Sequence, residues 1–217
     1  MTAVASKPTL LRKLIKPSAG NSYRRCPKDW TCQPKVNDHR LAILLNRNQV
    51  DHIVFANDGK EYTKATLPDE WIKMLHGFWE WLEESAMIDA KLTTDWPYLL
   101  DAGIMGPAYG DEPTALVIHD LPRLGGTYSE RLTKIRGFFP RWEMYEELEP
   151  NEGVFVLPTW RTEYNPIHWK AMQEHNKDIG KHVYEGIVAK DPDSLYPYVT
   201  NKRKYPYWVK YRFDQLN

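Results

Sequence analysis

The spacing of apolar positions changes several times along the chain, and each change predicts an element. Leu41 to Leu45 form one apolar burst and Ile53 to Phe55 another. Turn residues Asn46 to Gln49 separate them, and Asn57 to Gly59 follow the second. Short apolar bursts bounded by Asn, Asp and Gly predict an antiparallel hairpin or meander. After Pro68 the period becomes helical: Trp71, Met74, Leu75, Phe78, Trp79 and Leu82 recur on one face. Asp69 and Glu70 fall in the first turn, where the helix dipole favours acids. "WPYLLDAGIMG" and "TALVIHDLPRL" predict two strands joined by "PAYGDEP". A helix is expected from an N-cap at Ser129 toward Phe139. The strand "GVFVLPTW" follows, then an amphipathic helix over 166–181 and the strand "EGIVAK". A loop rich in Pro and Tyr over 191–207 leads to the last strand, "WVKYR". This order predicts an α+β fold with mostly antiparallel sheets flanked by helices. One domain is expected over 29–217, after a basic arm over 1–28 that Pro8, Pro17, Gly20 and Pro27 keep extended or loosely helical.

Composition narrows the class. The 217 residues are 42% hydrophobic and 27% charged, enough apolar chain to bury a sizeable core. Nine tryptophans and thirteen tyrosines serve mainly that core, although such richness also suits stacking on bases. No apolar run approaches the roughly 18 to 20 residues that cross a bilayer, and the N-terminus lacks the apolar stretch of a secretory signal. A cytoplasmic monomer with no membrane contact is expected. Cys26 and Cys32 have a C-x5-C spacing that matches neither a zinc ribbon nor a disulfide framework, so free thiols in a reducing compartment are expected. Net charge is zero but unevenly spread. Residues 1–35 hold eight Lys or Arg against the single acid Asp29, and residues 201–212 hold five bases and no acid. Basic ends on a neutral chain point to a polyanion on one side of the molecule.

Three short stretches carry candidate chemistry. In "HVYEGIVAK", Glu185 and Lys190 bracket an apolar strand. Regular alternation puts them on opposite faces unless Gly186 bends the chain. In "QPKVNDHR", Lys35 stands just before a strand, close to Arg40, and a neutral lysine amine is a nucleophile. Lys210 and Arg212 share one face of the last strand and could reach one phosphate.

Taken in order, "KVNDHR", "EGIVAKDPDSLYPY" and "WVKYR" resemble the signature motifs of ATP-dependent polynucleotide ligases, within the covalent nucleotidyltransferase superfamily. "LLDAGIMG" and "TALVIHDLPRLGGTYSERL" are similar to two further segments of that family. The resemblance spans about residues 30–212 and implies the ATP-grasp-like nucleotidyltransferase domain of DNA ligases.

It also implies a three-step reaction. A lysine amine attacks the α-phosphate of ATP, the adenylate passes to a 5′-phosphate at a nick, and the 3′-hydroxyl displaces AMP. On that reading Lys35 is the nucleophile, with Lys190 and Lys210 on the α-phosphate. Gln33, Pro34, Arg40 and His119 would contact the nucleotide, His119 in the place of a stacking aromatic. Glu185 would hold Mg²⁺ or Mn²⁺, with Asp101 as a second ligand. Arg24, Arg25, Lys202, Arg203, Lys204 and Arg212 would grip a nicked duplex, DNA being expected before RNA.

The chain departs from the family pattern in places. Asn37 and Asp38 stand where the family has Asp and Gly, Asn57 where it has Arg, and Gly103 where it has Glu. Weakened adenylation is expected from these. The chain ends five residues after Arg212, so no C-terminal OB-fold domain is expected. Two other readings stand beside the ligase: a nucleic-acid-binding chain of the same fold that has lost the chemistry, and an unrelated α+β domain with coincident motifs.

Overall fold

Two five-stranded sheets make up the frame of the computed structural model, which describes residues 17–45, 53–56, 67–85, 98–122, 124–146, 152–196 and 205–213. Its strands are β1 (Pro17–Ala19), β2 (Thr31–Val36), β3 (His39–Leu45), β4 (Ile53–Ala56), β5 (Tyr98–Met105), β6 (Ala115–Asp120), β7 (Gly153–Val156), β8 (Trp160–Arg161), β9 (Tyr184–Lys190) and β10 (Tyr205–Arg212). Its helices are α1 (Asp69–Glu84), α2 (Tyr128–Phe138) and α3 (Asn165–Ile179). One sheet has the order β1-β10-β9-β2-β8 and the other β4-β3-β5-β6-β7. Among the described strands only β1 with β10 and β6 with β7 run parallel, so the expected α+β fold with mostly antiparallel sheets is what forms.

The predicted hairpin forms as β3 and β4, with Leu41 opposite Ala56. α1 begins directly after Pro68 and buries Trp71, Leu75, Phe78, Trp79 and Leu82, the stripe that its spacing predicts. Those side chains pack with Leu41, Ile43, Leu100, Ile104 and Ile118 of the β3 sheet in the larger core. A second core sets Cys32, Ile187 and Ala189 of the β2 sheet against Trp169 and Met172 of α3. Among the described residues, no helix is long and apolar enough to cross a membrane.

Three expectations need correction. α2 is capped by Thr127, not Ser129: the Thr127 hydroxyl accepts from the Glu130 N–H, and the Glu130 carboxylate accepts from the Thr127 N–H. This reciprocal box satisfies two orphan donors, which a cap at Ser129 could not do with Glu130 as its neighbour. Lys35 lies inside β2 rather than before a strand. Pro34 is tolerated there because β8 pairs only with Thr31 and Cys32, leaving the Pro34 stretch paired on one side. The arm is not separate from the fold from Pro17 onward. Pro17–Ala19 pairs with β10, and the Tyr23 ring stacks on Trp169 at 4.5 Å.

Candidate active site

Between the β2 and β3 sheets lies a cavity of about 300 Å³. Its first wall comes from β2, β9 and β10, which alternate in and out. Ile187 and Ala189 turn to the α3 core, whereas Val188 and Lys190 line the cavity. Tyr184 breaks this count by joining the α3 core, and Glu185 lines the cavity. The phase flips at a bulge: Lys35 pairs with Gly186, yet the next residue, Val36, pairs with Tyr184. Gly186 has φ +144, and a Cβ there would lie 1.9 Å from the Tyr211 carbonyl oxygen, so only glycine fits. Through that bulge Glu185 and Lys190 share a face that regular alternation would deny them.

On this wall Glu185 pairs with Lys35 through one carboxylate oxygen, and the same oxygen lies 3.1 Å from an Arg212 nitrogen. Lys210 lines the cavity one alternation before Arg212. Lys190 is 2% exposed, lies 4.2 Å from the Trp208 ring centre and 4.6 Å from that of Tyr128, and donates to the His119 carbonyl at 3.0 Å. Burial pushes its ammonium down to about 8, against the pull of Asp120 and Asp101. Gln33 is buried beside it and accepts from the Tyr128 hydroxyl at 3.0 Å.

The second wall belongs to the β3 sheet, and its charges are paired among themselves. Arg40 donates through Nε to Asp101 at 2.8 Å and through a second nitrogen to the other oxygen. Burial alone would lower the Arg40 guanidinium, but the Asp101 carboxylate more than reverses this and raises it. Asp38 and His119 approach to 2.6 Å, oxygen to ring nitrogen. The Asp38 carboxylate occupies the space over Gly103, where an added Cβ would lie 1.8 Å from its Oδ2. Asn37 does not line the cavity; its side chain donates to the Ala108 carbonyl at 3.5 Å and its N–H to Val183 at 2.8 Å. So the acid expected at position 37 enters the cavity from position 38, into room that Gly103 leaves open.

Behind this wall Asp120 and Arg131 form a buried pair, Nε to Oδ1 at 2.8 Å and a second nitrogen to Oδ2 at 3.0 Å. Arg131 also donates to the Gly126 carbonyl at 2.6 Å, which ties β6, α2 and the approach to α2 together.

The cavity therefore gathers Gln33, Pro34, Lys35, Arg40, His119, Glu185, Lys190, Lys210 and Arg212 from the expected set. Asp101 is not among its lining groups. It is fully buried with both oxygens accepting from Arg40, so this placement gives no support to a metal ligand there. Arg24 and Arg25 are exposed on a short 3-10 turn outside the cavity. Lys202, Arg203, Lys204 and Asn57 lie outside the described residues. Sequence reasoning missed Tyr128, Trp208 and Pro17 as cavity or near-cavity groups. Trp208 opens the "WVKYR" motif and was legible there; Pro17 carried no signal. Among the described residues, no group of three or more His, Cys, Asp or Glu could hold a metal by itself. Glu185 fits a hard cation whose remaining ligands are phosphate oxygens and waters.

The sequence matches no family model and no curated protein. Solved structures do match by shape. A mycobacterial DNA ligase D complexed with ATP is 15% identical with a TM-score of 0.51, covering 95% of this chain and 62% of that one. An archaeal ATP-dependent RNA ligase is 13% identical with a TM-score of 0.51, covering 95% and 49%. A Lig E DNA ligase, described as binding DNA with a minimal scaffold, is 8% identical with a TM-score of 0.52, covering 92% and 68%. The chain spans about half to two thirds of the length of these structures. Its fold is that of the nucleotidyltransferase domain of ATP-dependent DNA and RNA ligases.

Proposed function

We propose that the chain is the nucleotidyltransferase part of an ATP-dependent polynucleotide ligase that seals nicks through a lysyl-AMP intermediate. The observation that carries this reading is one wall of one cavity, where Lys35, Glu185, Lys190, Lys210 and Arg212 converge from three strands. Four cations face one acid, so the wall is set to receive a polyanion.

Lys35 Nζ attacks the α-phosphorus. A P–N bond forms, the bond to the bridging oxygen breaks, and pyrophosphate leaves. Glu185 already pairs with Nζ, so it orients the amine and takes up its proton. Lys190 and Lys210 stabilise the charge that develops on the α-phosphate, and Arg212 shares Glu185 until phosphate displaces it. Gln33 and His119 bind the base, with Pro34 and Arg40 shaping the walls around the nucleotide. Mg²⁺ or Mn²⁺ on the triphosphate, held by Glu185, would screen the phosphate charge against the approaching amine. A 5′-phosphate oxygen then takes the adenylate from Lys35, and a 3′-hydroxyl displaces AMP.

DNA is the substrate we assign first, with exposed Arg24 and Arg25 and the 202–204 bases on its backbone. RNA is the nearest variant, since one structural neighbour is an RNA ligase. A panel of nicked DNA, nicked RNA and hybrid duplexes with ATP and Mg²⁺ tests the assignment. Sealing of nicked DNA above the others is expected. Preferential sealing of RNA would replace the substrate, and salt-dependent binding of every duplex without sealing of any would favour the chemically silent reading.

A further inference from the structure

Cys26 and Cys32 are the two cysteines of the chain, and their sulfurs stand 4.0 Å apart. Cys32 is fully buried on β2, on the face opposite Lys35, in the core formed with Trp169 and Met172. Cys26 follows the 3-10 turn Tyr23–Arg25 and is half-buried. A tight reversal returns the chain to β2 between them: Trp30 N–H donates to the Pro27 carbonyl, and the Thr162 hydroxyl donates to the Lys28 carbonyl. With two sulfurs and no third His, Cys, Asp or Glu grouped with them among the described residues, the pair is not a metal site.

We infer that Cys26 and Cys32 form a reversible intramolecular disulfide, with Cys26 as the attacking thiol and Cys32 as the resolving one. The two sulfurs must close from 4.0 Å to about 2.05 Å, and residues 26–30, outside any strand, can take up that movement. The hydrogen bond from Cys32 holds the Cys26 thiol below its ordinary value, with burial opposing, while that contact and burial push the Cys32 thiol up. The more accessible and more acidic sulfur therefore reacts first with an outside disulfide. Cys26 thiolate attacks one sulfur of oxidised glutathione and expels a glutathione thiolate, which takes up a proton. Cys32 then loses its proton, attacks the Cys26 sulfur and expels the second glutathione. Two electrons pass from the protein to glutathione, and two glutathione thiols leave. The bond ties the segment that carries Pro17 at the cavity rim to the strand that carries Lys35.

The test does not depend on nucleotide chemistry. The whole chain is incubated with excess oxidised glutathione at pH 8, quenched in acid, denatured, alkylated with N-ethylmaleimide and weighed. Wild type is expected to lose two hydrogens, take up no maleimide and yield a peptide cross-linked between Cys26 and Cys32. C32A is expected to stop at one glutathione on Cys26. C26S is expected to keep an alkylatable Cys32 that reacts on the order of tenfold more slowly. Two free thiols in oxidised wild type, a disulfide between chains, or equal glutathione uptake by C26S and C32A would each overturn the inference.

Discussion

The two walls of the cavity solve opposite electrostatic problems. On the β3 sheet each of these charged side chains has a partner within the wall, Arg40 in Asp101 and Asp38 in the His119 ring. On the β2 sheet Lys35, Lys190, Lys210 and Arg212 face Glu185, the one acid lining that wall among the described residues. A wall whose charges pair internally holds its shape without a ligand; a wall lined by more cations than acids gains by receiving phosphate. Lys35, Glu185, Lys190 and Lys210, from three of the motif segments, sit on the cation-rich wall, whereas Arg40 and the departures at Gly103 and His119 sit on the other, with Asp38 reaching over Gly103.

That contrast can be broken, starting with the largest effect. Asp101→Ala leaves the largely buried Arg40 without its carboxylate and should cost roughly 3 kcal/mol of stability. Its denaturant midpoint should fall accordingly; a midpoint close to wild type would mean that the second wall is not held by this pair. Lys210→Ala is the counterpart on the first wall. It should weaken ATP binding by about 10- to 100-fold in calorimetry while stability stays within about 0.5 kcal/mol. A large loss of stability with intact affinity would reverse the roles given to the walls.

Gly103→Ala sharpens the picture of Asp38. Its Cβ would lie 1.8 Å from the Asp38 Oδ2, and the carboxylate must leave, at a cost of about 1–3 kcal/mol. Added to Asp38→Gly, which also removes the Cβ that would lie 2.9 Å away, the same change should cost far less, and the double-mutant cycle should show that coupling. Additive losses would mean that Asp38 does not fill the Gly103 space in solution.

The last test is with pH, where the effect builds gradually. Lys190 has its folded value lowered from 10.5 to about 8, so the unfolded chain binds the extra proton between those values. Stability of the free protein should therefore rise as pH climbs from about 8 toward 10.5. ATP affinity should move the other way, falling by up to about tenfold per pH unit above 8 as the ammonium is lost. Lys190→Met should flatten both profiles. A wild-type affinity unchanged across this range would remove Lys190 from the phosphate site.

The sequence made some of this legible and hid the rest for physical reasons. Period revealed α1 and β3, because their apolar positions face one core, and the apolar burst at 53–55 marked β4. Lys35, Glu185, Lys190 and Lys210 were found through motif order and fall on one cavity. β1 gave no signal, since three residues pairing with a strand nearly two hundred positions later leave no local period. Gly186 marked where alternation could break, but that a bulge there puts Glu185 and Lys190 on one face depends on pairing with β2, which the sequence does not show. Asn37 and Asp38 left open whether the acid had shifted by one position or been lost, because the space that receives Asp38 exists only where Gly103 lacks a side chain.

The central claim is that Lys35 takes the adenylate, and covalent capture tests it most directly. The protein is incubated with ATP labelled at the α-phosphate and Mg²⁺ or Mn²⁺, denatured, and digested to find the labelled peptide. Acid-labile label on the peptide that contains Lys35, absent from Lys35→Ala, is the expected result. A folded wild-type chain that stays unlabelled across metals and pH, or label that persists in Lys35→Ala, would contradict it.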